Sequence, residues 1–277
     1  MAIYTQDYRK WEGTYRKRPY KILGIIHFEI KRVWSSKWVK ICLILGWIPT
    51  IFFIVLSILF SPFVTELFSE GMNQFYFNFA SLQIIWTILL TATAGSSLIS
   101  EDIENKSITL YYSSPIGKID YFLGKFGIIG TFISLVTVLP STILYWVLNL
   151  MSSTPIRGNL WIWEASVLDS IIIIVFLSML IIFLSSLTKN NKYAGASFFG
   201  LIFGSSVIAG ILYEVTNNKW MILISIFDNL DIIKEKIFKI TIERPIEWYY
   251  SFSLILGITI LFGVFSYLRL RKLELSE

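Results

Sequence analysis

The chain alternates between long stretches free of Asp, Glu, Lys and Arg and shorter stretches in which those residues gather. Six charge-free runs stand out: 41–65, 71–100, 126–156, 170–188, 193–213 and 248–268. Each is close to or above the ~20 apolar residues that cross a bilayer as a helix. Strands do not fit, because barrel strands alternate over about 10 residues whereas these runs are continuous. Helices satisfy their own backbone groups in lipid, so the pattern predicts six transmembrane helices. Pro49 and Pro140 are expected to kink spans one and three.

Two further segments carry a helical period with one apolar face. Over 20–38, Ile22, Ile26, Ile30 and Trp34 recur every four residues, while Lys31, Arg32, Ser35 and Ser36 fall largely elsewhere. This predicts an amphipathic helix at the membrane interface, just before span one. Over 214–247, Leu223, Phe227, Leu230, Ile233, Ile237 and Ile240 keep the same spacing between charged positions. One amphipathic helix or two short ones are expected there, lying on the membrane or dipping back over the bundle, either as a passive surface helix or as a lid on an outer gate.

Composition agrees. Hydrophobic residues make up 55% of the 277-residue chain, charged ones 16%, and the mean hydropathy is +0.66. A soluble domain carries roughly 25% charge, so a soluble globule is excluded. The net charge of +5 is unevenly placed. Most of the 24 lysines and arginines flank spans one, two, four and six on one side. Only Arg157, Lys219, Lys234, Lys236, Lys239 and Arg244 fall on the other. Positive loops stay inside, so both termini are expected in the cytoplasm of a multi-pass cell-membrane protein. The charged N-terminus lacks the apolar core of a signal peptide. The expected organisation is a cytoplasmic lead with a connecting helix (1–38), a six-span domain (39–268) and a short tail (269–277). Basic charge is accounted for by topology, and no nucleic-acid partner is expected.

One cysteine, Cys42, and one histidine, His27, exclude thiolate zinc clusters and paired-histidine metal sites. No Gly-x-x-x-x-Gly-Lys-Ser/Thr loop occurs, so this chain is expected to bind no ATP itself. Asp169 stands directly before the fourth run, and an interfacial or capping role is expected for it at the edge of span four. Gln83, Thr87 and Thr91 form a polar stripe on span two. Two readings stand: a wall of a transport pathway, or local hydrogen bonding. Gly200 and Gly204 form a Gly-x-x-x-Gly motif in span five, suited to helix packing within the chain or to a dimer seam.

The most informative loop follows span two, over 101–120. Glu101, Asp102 and Glu104 come directly after the span, then Ser107, Thr109, Leu110, Ser113, Pro115, Ile116, Lys118, Gly124 and Lys125. The acids can cap a short helix or present charge to a soluble partner. Pro115 then turns the chain back toward span three.

These residues resemble the coupling loop of the permeases of type-2 ATP-binding cassette (ABC) exporters. The family's Gly-Thr stands here as Ser107-Ile108, and its Arg as Lys118. The six spans, the basic helix before span one and the long segment before span six resemble the same family. The resemblance implies a permease half that pairs with a second half and with two cytoplasmic ATPases. ATP and magnesium would bind those subunits, with no cofactor in this chain. The loop 101–120 would dock on the ATPase, using Glu101, Asp102, Glu104, Ser107, Thr109, Pro115 and Lys118. Rival readings are a secondary transporter or channel, a membrane enzyme, and a non-transporting assembly subunit. No ionisable residue is expected near the midplane, which weighs against the first of these.

Overall fold

The structure, a computed structural model, describes residues 21–59, 71–107, 117–151, 160–240 and 245–275. Among the described residues there are helices and turns and no strand. Six helical segments are long and apolar enough to cross a membrane: Lys37–Leu59, Met72–Glu104, Ile119–Leu150, Leu160–Leu187, Asn191–Thr216 and Trp248–Arg271. The all-α, six-span expectation is met.

The amphipathic helix before span one is α1 (Lys21–Ser35). Ser36 is extended and separates it from α2 (Lys37–Gly46). Helix α1 lies along the start of span three, α6 (Lys118–Ser134). Gly127 permits that approach, since a Cβ there would come within 2.9 Å of Ile26 Cδ1. Trp34 stacks near Phe132, with ring centroids 6.2 Å apart.

Three spans are broken, and each break is sealed by a neighbour. Span one breaks at Trp47, between α2 and α3 (Ile48–Leu59). Span three breaks at Leu135–Thr137, between α6 and α7 (Val138–Met151). Pro49 and Pro140 sit just past these points. Proline has no N–H to donate four residues back, so Pro140 leaves the Val136 carbonyl without its helical partner. An unpaired carbonyl in lipid costs several kcal/mol, roughly. Gln83 supplies the missing donor. Its Nε2 donates to the Val136 carbonyl and, at 2.7 Å, to the Gly46 carbonyl. One buried amide therefore closes both breaks. Gly46 also abuts Val136, where a Cβ would meet Cγ1 at 2.7 Å.

Span two breaks at Ser96, between α4 (Met72–Gly95) and α5 (Ser97–Glu104). Ser185 of α8 (Leu160–Leu187) seals it. Its hydroxyl donates to the Ser96 carbonyl at 2.8 Å and accepts from the Ile99 and Ser100 amides at 3.1 and 3.0 Å.

Helix α8 is the central post. It packs against spans two, three, five and six. It begins at Leu160, well before the predicted 170. Asp169 therefore lies in its third turn and is buried, not at an interface or a cap. Span five, α9 (Asn191–Thr216), and span six, α11 (Trp248–Leu275), lie at the periphery with most of their apolar surface exposed. Their Val207, Ile208, Ile211, Leu256, Ile260 and Leu261 side chains suit lipid or a second subunit.

The segment between spans five and six forms two short helices, a 3-10 turn over Lys219–Ile224 and α10 (Ile226–Ile237). The Ser225 hydroxyl caps α10, accepting from the Asp228 amide at 3.1 Å. Helix α10 packs against spans four, five and six and touches span two. Its Leu230, Ile232 and Ile233 are buried, so it is built into the bundle end and does not rest on its surface.

Candidate functional site

Where span two ends, four charged side chains from three elements close into one cluster. Asp102 of α5 is buried, as are Glu29 of α1 and Lys125 of α6; Arg32 of α1 is 32% exposed. Lys125 Nζ lies 2.6 Å from Asp102 Oδ2 and 3.1 Å from Glu29 Oε1. Arg32 Nη1 donates to Asp102 Oδ1 at 3.2 Å, and Nη2 lies 2.7 Å from Glu29 Oε2. The Tyr121 hydroxyl adds a 2.7 Å bond to Asp102 Oδ2 and Ser107 a 3.2 Å bond to Oδ1. Two anions and two cations balance.

The local helix geometry makes the cluster necessary. Asp102 is in the last turn of α5, where the helix dipole disfavours negative charge. It is also desolvated, which requires paired charge and hydrogen bonds. Lys125 and Arg32 provide both. Burial works against the charge of Arg32, but Glu29 and Asp102 outweigh it and hold the guanidinium pKa above its ordinary value. The cluster pins the helix before span one to the end of span two and the start of span three.

The predicted acids thus separate by environment. Asp102 faces inward and is fully partnered. Glu104 is exposed, and Glu101 is half-buried, accepting from Asn191 Nδ2 at 3.3 Å at the start of span five. All three lie in the second half of α5; the short helix that they were expected to cap falls on 108–116, outside the described residues. Lys106 then takes a left-handed conformation (φ 54°) that stops the helix. Ser107 joins Asp102. Thr109 and Pro115, with the family-like Leu110, Ser113 and Ile116, lie outside the described residues. Lys118 is the first residue of α6, whose N-terminus is closed by Asp120 accepting from the Gly117 amide at 3.2 Å.

Beside the cluster, a cavity of about 590 Å³ separates α1 and α2 from spans two and five. Arg32, Ser36, Trp38, Glu101 and Lys192 line it along with small residues such as Ala92 and Gly195.

The polar stripe of span two faces the interior of this chain. Thr87 donates to the Gln83 carbonyl at 2.9 Å, and Thr91 to the Thr87 carbonyl at 2.7 Å; all three side chains are buried. Gly200 and Gly204 are different. A Cβ at either would meet nothing within 4 Å, so this motif is not used for packing among the described residues.

Sequence reasoning missed Glu29 and the pairing of Arg32 and Lys125. The signal was present: Glu29 interrupts the apolar face of α1, on the side of Ile26, Ile30 and Val33.

The geometry is that of a polytopic membrane subunit with one charged joint between its interfacial helix and its loop after span two. A family model, that of the ABC-2 family transporter proteins, matches residues 23–275. The chain belongs to the ABC-2 transporter family. No curated protein matches it in sequence. Membership makes it a transmembrane permease, the membrane subunit of a transporter, with multiple spans in a bilayer.

Proposed function

We propose that this chain is one permease half of an exporter driven by a separate ABC ATPase. Both termini and the loop 101–120 lie in the cytoplasm, at the end where lysine and arginine gather. Two halves pair, homologous or identical, and ATP with magnesium binds the two ATPase subunits. Closure of the ATPases pushes on the loop 101–120. The charge cluster passes that push to spans two and three and to the connecting helix as one body, and the pathway alternates between inward and outward access.

The observation that carries this reading is the Glu29–Arg32–Asp102–Lys125 cluster at the root of the loop. A flexible root would absorb a push. A root held by buried, charge-assisted bonds transmits it. Exposed Glu104 and half-buried Glu101 remain for a basic docking surface on the ATPase. The open Gly200–Gly204 face of span five suits close approach of a second half.

Affinity purification from native membranes in mild detergent tests the reading. A cassette ATPase is expected at equal stoichiometry. Replacing both Glu101 and Glu104 with alanine is expected to release it while the permease keeps its elution profile and thermal stability. Full retention of the ATPase by the double variant, or a stable wild type with no ATPase bound, contradicts the reading.

A further inference from the structure

Asp169 sits about 9 residues into span four, roughly 14 Å along the helix at 1.5 Å per residue. It is 5% exposed. Among the described residues its carboxylate takes no direct hydrogen bond or ion pair. It opens on a cavity of about 20 Å³ between spans two, three and four. That volume holds about one water-sized particle and no solute, since a single water needs about 10–15 Å³ by this measure.

The lining of the cavity is one-sided. Gln83 gives both amide protons to the carbonyls that it seals, and its Oε1, buried, finds no partner. The five hydroxyls around it are committed donors. Thr87, Thr137, Ser141, Ser166 and Ser170 each donate to a carbonyl of their own span, at 2.8–3.0 Å. What remains toward the cavity is a carboxylate, an amide oxygen and hydroxyl lone pairs. These are acceptors with no donor among them.

The charge count points the same way. The neighbouring charges that act on Asp169 are Lys234 and Asp231 of α10. Lys234, itself buried, is already paired with Asp231 at 2.9 Å. Among Asp169, Asp231 and Lys234, one negative charge is left over.

We infer that this cavity is a binding site for one monovalent cation, Na⁺, held by Asp169, Gln83 Oε1 and hydroxyl oxygens of spans two, three and four. A water molecule donates only two protons and carries no charge, whereas a cation satisfies every acceptor and balances Asp169. Hard oxygen ligands suit Na⁺, and soft metals would require sulfur or imidazole ligands. Calcium takes six to eight oxygens and would overbalance a single carboxylate. A space of one water matches Na⁺ and is tight for K⁺. The ion ties span four to the broken segment of span three and to the amide that seals it, so its occupancy is a second control on the bundle, separate from ATP.

The test uses the full chain in lipid nanodiscs, with N-methylglucamine as the inert cation. Radiolabelled sodium is expected to bind at one ion per chain, to be displaced poorly by K⁺, and to raise Tm in a saturating manner at constant ionic strength. Asp169→Asn is expected to abolish both binding and the Tm response. Ser170→Ala, which touches no charge, is expected to weaken binding several-fold and serves if Asp169→Asn does not fold. Wild type with no sodium binding and equal Tm in the two salts overturns the inference, leaving a water beside a protonated Asp169. Equal sodium binding by wild type, Asp169→Asn and Ser170→Ala also overturns it, since the ion then lies elsewhere.

Discussion

Asp102 and Asp169 are both buried acids on apolar spans, and their surroundings are opposites. Asp102 is met by Lys125, Arg32, Tyr121 and Ser107, all of which donate or pair. Asp169 is met by acceptors, and the cation that acts on it, Lys234, is already engaged by Asp231. Burial of a charge is tolerable only where that charge is paired, so the first site is complete within the chain and the second calls for something added. A complete cluster acts as a fastening. An acceptor-lined pocket acts as a place where occupancy can change.

Removing each charge in turn should break the comparison most clearly. Asp102→Asn leaves Lys125 and Arg32 facing a neutral group, and should cost about 3–5 kcal/mol, the usual cost of orphaning a buried ion pair. Thermal stability in detergent should fall sharply, and replacing Lys125 by methionine in the same chain should recover part of the loss. Asp169→Asn in sodium-free buffer should lower Tm little or raise it. Equal losses at both positions would show that the two acids are held alike.

The helix breaks give the next effect. Gln83→Leu removes the donor to the Val136 and Gly46 carbonyls and should cost about 1–3 kcal/mol, read as a lower Tm at any salt. Ser185→Ala unseals the break in span two and should cost about 1 kcal/mol. The Ser185→Ala loss should be the same with and without sodium, whereas the Gln83→Leu loss should widen in sodium, because Gln83 Oε1 is also a ligand of the ion. The smallest effect on folding should come from leucine at Gly200 and Gly204 together. Those positions face open space, so stability should stay within about 0.5 kcal/mol of wild type while the paired state in nanodiscs is lost. A large fall in Tm would mean that the face packs within the chain.

The limits of the sequence reading follow the same two acids. Runs without charge located all six spans, because unpaired charge is excluded from lipid. The same criterion misplaced their ends. Span four begins at Leu160 and not near 170, because Asp169 was taken as a boundary when it lies inside the helix. Span two continues through Glu104, and span three begins by Ile119, ahead of Lys125, for the same reason. A charge that finds partners in the fold does not end a helix, and those partners come from distant positions that periodicity does not reveal. Glu29, Asp102 and Lys125 are far apart in the chain. The stripe Gln83–Thr87–Thr91 was legible as polar, but that Gln83 would seal two other spans depended on where Pro49 and Pro140 broke them. The segment between spans five and six was legible as amphipathic and helical, as one helix or two short ones. Whether it lay on the membrane or dipped back over the bundle stayed open, because an apolar face is the same whether it meets lipid or protein.

The central claim is that the charge cluster makes the connecting helix and the root of the loop after span two one rigid body that the ATPase moves. Spin labels at Lys31 and Glu104, both exposed, in a Cys42→Ala chain assembled with its ATPase, read this by pulsed electron resonance. The distance between the two labels in one chain should be the same without nucleotide and with ATP trapped, while the distance between the Glu104 labels of the two halves should change. A nucleotide-dependent change within the chain, or no change between the halves, would contradict the account.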